Sequence, residues 1–320
     1  MTSLKSLSRI GVLAGGPSSE REISLRSGRA VHHALIAEGC DAVFLDVWDD
    51  IRDAIRAHPI DVAFIALHGR FGEDGTVQKI LDDVGIPYTG SGVEASRLAL
   101  DKVASKERFM RKGIPTPRFL AQAKDDPKPD IEKELSLPVV VKPRHEGSSI
   151  GLTVVRDAEL LDDALVRAFA CEDEVLVEEY IEGKELTVGI LADKALPVIE
   201  IVTRNNLYDY DAKYRNTDTA YLVPAPVESS VYNAAQAMSL AAHEALGCRF
   251  FSRVDLMVDR VGGLSVLEVN TIPGMTDRSL LPKAAMAAGI RFGTMCVMLV
   301  EDARSRAESR RLGELSRKGI

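Results

Sequence analysis

Strict alternation of polar and apolar side chains in two neighbouring runs, Ser252 to Val258 and Leu264 to Asn270, predicts a β-hairpin turned at Gly262-Gly263. The period of two places Arg253 and Asp255 on one face of the first strand and Glu268 and Asn270 on one face of the second, with Val254, Leu256, Leu267 and Val269 opposite. Four polar side chains therefore converge on one side of a two-strand unit.

From the N-terminus, apolar runs at 10–14, 42–46 and 62–67 alternate with amphipathic stretches, the first carrying Ile23, Ala30, Val31, Ala34 and Leu35 and the second covering 51–57. This is the pattern of a parallel α/β unit, and Gly85 to Gly92 reads as its exit. Ser19, with Glu22 three residues on, predicts a capping box at the start of the first helix. A helix over about 94–111 carries Lys102 and stops at Gly113, before the linker Ile114-Pro115-Thr116-Pro117. Strands follow at 137–141, 152–155 and 175–181, with a helix over 157–170. An antiparallel pair, 185–191 with 197–202, precedes an aperiodic stretch, 203–222, of the length expected for a lid. A helix over 229–246 leads into the hairpin, and the final helices begin at Ser279 to Lys283. The expected fold class is α/β with an α+β second part, in three domains: a parallel, Rossmann-like α/β domain over 1–93, a small α+β domain over 94–184, and an antiparallel-sheet domain over 185–320 that holds the lid 203–222.

Composition narrows the function classes. A chain of 320 residues that is 46% hydrophobic can bury several cores. Its net charge of -8 excludes a general nucleic-acid binder, because binding to phosphate backbones needs a net basic surface. Cys40, Cys171, Cys248 and Cys296 stand far apart, without the Cys-x-x-Cys spacing of a zinc site, and read as buried small hydrophobes. Residues 1–8 lack the apolar centre of a signal peptide, and no run of about 18 apolar residues occurs, so a cytoplasmic protein with no membrane partner is expected.

Candidate chemistry gathers at loops and strand ends. Asp255, Glu268 and the Asn270 amide oxygen are the hard donors that Mg²⁺ prefers, and Arg253 beside them suits an oxyanion. A solvated sheet face is the competing reading of the hairpin taken alone. The turn Gly15-Gly16 lacks Gly-x-Gly-x-x-Gly and carries Glu20 where a pyrophosphate would approach, which argues against a dinucleotide site and for a cationic group such as an ammonium. A first-turn acid complementing the helix dipole explains Glu20 equally well. His68 stands at the C-terminal end of a parallel strand, where ligands of such sheets bind. The small-residue loop Gly147 to Gly151, flanked by Lys142, can fold its N–H groups over phosphates, although it is no Walker loop and by spacing alone is also an ordinary hairpin turn. Strand 175–181 can offer a main-chain edge to adenine and a carboxylate to ribose hydroxyls, although taken alone it is just a strand. Two lysines, Lys102 and Lys142, a glycine cover and a carboxylate pair for a metal together are the parts needed to bind ATP and neutralise a migrating phosphoryl group.

At this point the sequence resembles the ATP-grasp superfamily and, within it, the D-alanine:D-alanine ligases. The resemblance runs from about Ile10 to Ala303. It rests on Gly15-Gly16 with Ser19-Glu20-Arg21-Glu22, Leu67-His68-Gly69, Tyr88-Thr89-Gly90-Ser91-Gly92, Asp101-Lys102, Val141-Lys142-Pro143 and Glu146-Gly147-Ser148-Ser149. It continues through Tyr208-Asp209-Tyr210, Lys213-Tyr214, Leu267-Glu268-Val269-Asn270-Thr271 and Pro273-Gly274-Met275-Thr276. The resemblance implies an acyl phosphate made from ATP and one D-alanine, attacked by the amine of a second to give the dipeptide used in peptidoglycan precursors. It implies that Glu20 holds the first ammonium with His68 nearby, and that Arg253 and the Gly274 N–H stabilise the oxyanion. Ser279 and Leu280 would hold the second carboxylate. For ATP it implies Lys102, Lys142, Lys213, Ser148, Ser149, Glu179, Tyr180 and Ile181, with Glu178 and Glu185 at the ribose. Asp255, Glu268 and Asn270 would hold two Mg²⁺ ions, or Mn²⁺ instead. Glu20, Ser148 and Tyr214 would close the lid, and Tyr214 favours the dipeptide over a D-lactate ester. A homodimer is implied too. The alternatives are a D-alanine:D-lactate or other amino-acid ligase on the same scaffold, and a non-catalytic ATP sensor, against which the intact Arg253 argues. Slight departures are Ile272, where many members carry serine, and a charged tail beyond Ala303.

Overall fold

The computed structural model describes residues 8–48, 50–127, 131–203 and 219–317. Its first sheet is parallel, with β1 (Ile10–Gly15) between β2 (Ala42–Val47) and β3 (Val62–Ile65). Every residue of β1 is buried, as befits a central strand covered on both faces. On one face lie α1 (Arg21–Ala37) and, from the far end of the chain, α9 (Leu280–Ala287) and α10 (Phe292–Arg317), where Val31, Leu35, Phe64, Leu281, Met295 and Leu299 share a core. On the other face Leu13, Leu45, Ile65 and Leu67 pack with Ile51 of α2 (Ile51–Ala57) and with Val77 and Leu81 of α3 (Thr76–Val84).

The second sheet is antiparallel, in the order β4-β7-β5-β6, from β4 (Phe119–Ala123), β5 (Val139–Pro143), β6 (Thr153–Val155) and β7 (Glu174–Glu179). The short α6 (Ile131–Glu134) and the amphipathic α7 (Leu161–Phe169) cover it through Ile131, Leu161, Ala164 and Leu165. The third sheet runs β11-β10-β8-β12-β13, from β8 (Gly183–Leu191), β10 (Ile199–Val202), β11 (Ala220–Leu222), β12 (Phe251–Asp259) and β13 (Leu264–Asn270), with the two-residue β9 (Lys194–Ala195) paired to β8. Helix α8 (Ser229–Ala245) covers it from one side, together with residues of α4 (Val93–Leu100) and α5 (Lys102–Arg111).

Several local expectations are corrected. The single helix over 94–111 is two helices, because Asp101 leaves the helical conformation and caps α5, its carboxylate accepting from Ala104 N at 3.0 Å. The capping box at Ser19 does not form: α1 has Glu20 at its N-cap with no side-chain cap bond, and Ser18 Oγ accepts from Glu20 N at 3.3 Å. The lid stretch 203–222 contains β11, which pairs with β10, and its residues 204–218 lie outside those described. The hairpin register sets Arg253 opposite Asn270 and Asp255 opposite Glu268, but a bulge follows Asp255 and Leu256 pairs with Val266. The extra residue is Leu267, so the alternation slips there. Val266 turns into the core in place of Leu267, which joins Glu268 on the functional side. Of the cysteines, Cys248 and Cys296 are buried as expected, whereas Cys171 is exposed. Among the described residues no single helix is long and apolar enough to cross a membrane.

Candidate active site

Three loops and the hairpin converge at the C-terminal end of the parallel sheet. Serines set the first two loops: Ser24 Oγ accepts from Gly15 N at 2.8 Å and donates to Ala66 O at 2.7 Å, while Ser18 Oγ donates to His68 O at 2.7 Å. These bonds tie the start of α1 to the segment after β3, which brings Glu20 beside His68. Glu20 is 6% exposed and His68 5%, so both side chains are taken out of water. Burial lowers the His68 pKa, against the opposing pull of Glu20 and a hydrogen bond with the Ile272 main chain. A neutral imidazole results, with Nε2 lying 3.1 Å from Ser27 Oγ.

The third loop, after β5, reaches over from the second sheet. Ser148 Oγ donates to Glu20 Oε1 in a short hydrogen bond between residues 128 positions apart. Ser148 and Ser149 hold left-handed φ angles of 52° and 58°, uncommon for residues with a Cβ and a sign of a loop fixed by its surroundings. Gly147 is a spatial necessity, since a Cβ there would lie 2.9 Å from Glu20 Oε2. Lys102, at the first position of α5, donates through Nζ to Glu146 O at 2.6 Å and through its backbone N–H to Arg144 O at 3.2 Å.

Lys142 is buried on β5 and Glu178 on β7, and their charged ends meet at 2.5 Å. The other Glu178 oxygen lies 2.8 Å from Lys106 Nζ, in a side chain with no exposed surface. Burial favours the uncharged carboxyl, yet Lys106 and Lys142 hold Glu178 below its usual range. Lys106 is itself lowered to about 8 by burial, against the attraction of Glu178. It also donates to Thr116 Oγ1 at 2.7 Å, and Thr116 donates in turn to Val266 O at 2.8 Å, which anchors the cluster to the hairpin at its bulge.

On the hairpin Arg253 grips Asp255 with two bonds, Nε to Oδ1 at 2.9 Å and Nη2 to Oδ2 at 2.7 Å, and Thr187 Oγ1 donates to Oδ1 at 2.6 Å. Asn270 Oδ1 accepts from Ile272 N at 2.9 Å. Asp255, Glu268 and Asn270 thus stand on paired positions of one ladder as a set of oxygen donors, the class that suits Mg²⁺ or Mn²⁺.

Two compartments result. A cleft of about 280 Å³ is lined by Glu20, His68, Lys102, Ser148, Arg253, Glu268, Asn270, Gly274, Ser279 and Leu280 from the sequence-derived set. A slot of about 110 Å³ is lined by Lys102, Lys142, Ser148, Ser149, Glu178, Glu179, Tyr180, Ile181, Glu185, Asp255 and Glu268. Lys213 and Tyr214 lie outside the described residues. Glu178, expected at ribose hydroxyls, has both oxygens on lysines here. Sequence reasoning passed over Glu73, Arg26 and Arg278 in the cleft, Leu267 in the slot and Lys106 behind it. Glu73 lies within the glycine-rich string after His68, and Lys106 stands one helical turn from Lys102, so each had a neighbour pointing to it.

Comparisons with known proteins agree with this geometry. The family described as D-ala D-ala ligase C-terminus matches residues 109–301, and that described as D-ala D-ala ligase N-terminus matches residues 46–91. The chain is 49% identical over 284 residues to the D-alanine–D-alanine ligase of Geotalea uraniireducens, covering 89% of this chain and 92% of that one. It is 48% identical over 299 residues to the D-alanine–D-alanine ligase of Marinobacter nauticus, covering 93% and 92%. The crystal structure of the Bacillus anthracis D-alanine–D-alanine ligase complexed with ATP superposes with a TM-score of 0.83 at 35% identity, over 95% of this chain and 99% of that one. A shared fold, matched family segments over most of the chain and near-half identity leave one assignment: the chain belongs to the D-alanine–D-alanine ligase family.

Proposed function

We propose that this chain joins two D-alanines into D-alanyl-D-alanine with conversion of ATP to ADP and phosphate, for peptidoglycan precursors, in the cytoplasm and as a homodimer. The observation that carries the reading is the junction of the two compartments, since Lys102, Glu146, Gly147, Ser148 and Glu268 line both. A γ-phosphoryl group at that junction would face the nucleotide on one side and an amino-acid carboxylate on the other, as in-line transfer requires.

In the slot, Val140, Ile150, Leu152, Met257 and Leu267 supply apolar walls for a base. The main chain at Glu179 to Ile181 offers it a hydrogen-bonding edge, and Glu185 takes the ribose. Lys102 and Lys142 meet the phosphates, with Ser148 and Ser149 in the covering loop and Lys213 added by family resemblance. Asp255, Glu268 and Asn270 would hold Mg²⁺ or Mn²⁺, two ions by resemblance, and such an ion would supply positive charge to neutralise the phosphates. In this reading the nucleotide lies between the second and third sheets, although a division at 93/94 and 184/185 cuts through β8 and separates α9 and α10 from the first sheet they cover.

In the cleft, Glu20 binds the ammonium of the first D-alanine and neutral His68 keeps the site from gaining a competing cation. A carboxylate oxygen of that D-alanine attacks Pγ, the bond from Pγ to the bridging oxygen breaks, and ADP leaves. The deprotonated amine of the second D-alanine attacks the acyl carbon. Arg253 and the Gly274 N–H stabilise the resulting oxyanion. The C–O bond to phosphorus then breaks, and phosphate departs with an oxygen from the first D-alanine. Ser279 caps α9 without a side-chain cap bond, so the first-turn N–H groups there, beginning at Leu280, are available to the second carboxylate. Incubation with Mg²⁺ and ATP should yield one ADP and one phosphate per dipeptide with D-alanine, and none with L-alanine. ATP binding without turnover in any amino-acid mixture would overturn the enzyme reading and leave an ATP sensor. A D-alanine:D-lactate product would assign the chain to the ester-forming alternative.

A further inference from the structure

Glu73 is a carboxylate that the reaction as written does not use. It follows the turn after His68, is 8% exposed, and lines the cleft with Glu20, His68 and Arg253. Oε2 accepts the Gly69 N–H at 2.6 Å. Among the described residues Oε1 has no hydrogen-bond partner, so a buried carboxylate presents one unused acceptor to the cleft.

The acceptors available at Glu20 are limited as well. Its Oε1 takes the Ser148 hydroxyl, and its Oε2 is crowded by two loops, since a Cβ at either Gly69 or Gly147 would lie 2.9 Å from it. A substrate ammonium carries three N–H donors, and in a buried site each needs an acceptor. Glu20 alone does not supply three.

We propose that Glu73 is a second carboxylate of the ammonium subsite, sharing the first amino acid's –NH₃⁺ with Glu20. Electrostatics agrees with the geometry. Burial first, and Glu20 next, push the Glu73 carboxyl up to about 8, with the Gly69 N–H and Arg253 opposing and Glu268 adding to the rise. Two neighbouring buried carboxylates do not both ionise readily without a cation between them. An ammonium placed there restores the Glu73 charge, so donor binding at pH 7 releases a proton to solvent. The site thereby selects an α-ammonium over a neutral substituent of the same size.

The inference rests on the placement of the first ammonium at Glu20, and the test separates the two. Glu73→Gln keeps an acceptor for the Gly69 N–H while removing the charge. Steady-state kinetics would resolve KM for the donor D-alanine, the acceptor D-alanine and ATP, with propanoate, which lacks the ammonium, as a competitive probe. Loss of one charge-assisted hydrogen bond should raise the donor KM about 10-fold to 100-fold. Propanoate inhibition and the other two KM values should stay unchanged. Proton release on donor binding, read by calorimetry in buffers of different ionisation enthalpy, should vanish. An unchanged donor KM, or an equal weakening of D-alanine and propanoate, would overturn the proposal, the second by showing that Glu73 merely shapes the loop. Should the Gln variant fail to fold, Glu73→Asp serves, keeping the charge but drawing it back, with the same split expected. Glu20→Gln is the control: if it leaves the preference for D-alanine over propanoate intact, the ammonium does not bind at this end and the underlying reading fails instead.

Discussion

Replacing His145 with Gln should remove a pH-dependent clamp on the loop that covers both compartments. The His145 ring lies between Asp101, with Nε2 3.6 Å from a carboxylate oxygen, and Glu172, which makes a short contact to Nδ1. Asp101 first, and then Glu172, raise the His145 pKa from 6.5 to about 9 despite partial burial. The same contacts act on Asp101, which burial alone would raise but which hydrogen bonds from His145 and Arg144 hold well below the usual carboxylate range. Arg144 reinforces the pair with bonds of 2.7 and 2.6 Å to the two Asp101 oxygens, and Arg70 reaches Glu172 from the first sheet's loop at 3.1 Å.

One pKa unit is worth about 1.4 kcal/mol, so the rise at His145 sets a ceiling of about 3.5 kcal/mol. The side chain keeps 27% exposure, and screening by water cuts that figure to less than half, about 1.5 kcal/mol. Because the folded-state pKa is raised, the stabilisation is fully present below about pH 6.5 and is lost as pH rises through about 9. Urea unfolding of the parent and His145→Gln proteins at several pH values isolates it, since other titrations cancel in the difference. The gap should be about 1.5 kcal/mol at pH 6 and close to zero at pH 10. A gap that stays constant across that range would refute the charged clamp and leave His145 a packing residue.

Three further substitutions probe the site. Lys106→Met leaves Glu178 with Lys142 alone in a buried cluster and should cost about 3 kcal/mol in urea unfolding, whereas a loss under about 1 kcal/mol would mean that Lys142 suffices. Gly147→Ala puts a methyl 2.9 Å from Glu20 Oε2. The donor KM should then rise about 10-fold with the melting temperature unchanged, and an unaltered KM would show that the loop yields at no cost. Arg253→Ala removes the oxyanion partner and should lower kcat about 100-fold to 1,000-fold while ATP binding, followed by fluorescence titration, persists; retained turnover would discard that role.

How much of this was legible in the sequence depended on the range of the forces involved. The alternation of 252–258 and 264–270 encoded the hairpin and the shared side of Asp255 and Glu268, because side-chain period is a local property, whereas their direct pairing came from the structure. The bulge was not legible, since an extra residue leaves composition untouched and Leu267 is apolar on either face. The break at Asp101 also escaped, because 94–111 reads as helix throughout and the residues that hold Asp101 out of it, Arg144 and His145, come from more than forty positions away. Ser19 and Glu22 copy a capping box, yet Glu20 is drawn to Ser148 by a tertiary contact that outweighs the local motif. Glu73 stands in the glycine-rich string after His68, but its burial comes from the packing of loops distant in sequence.

The sharpest test of the account is the fate of carboxylate oxygen. With D-alanine labelled with ¹⁸O in its carboxylate, the two-compartment junction predicts one labelled oxygen in inorganic phosphate for each dipeptide formed, since the carboxylate attacks phosphorus before the amine attacks carbon. Dipeptide formed with unlabelled phosphate would contradict it, because the carboxylate would then never have met the γ-phosphoryl group at Lys102, Ser148 and Glu268.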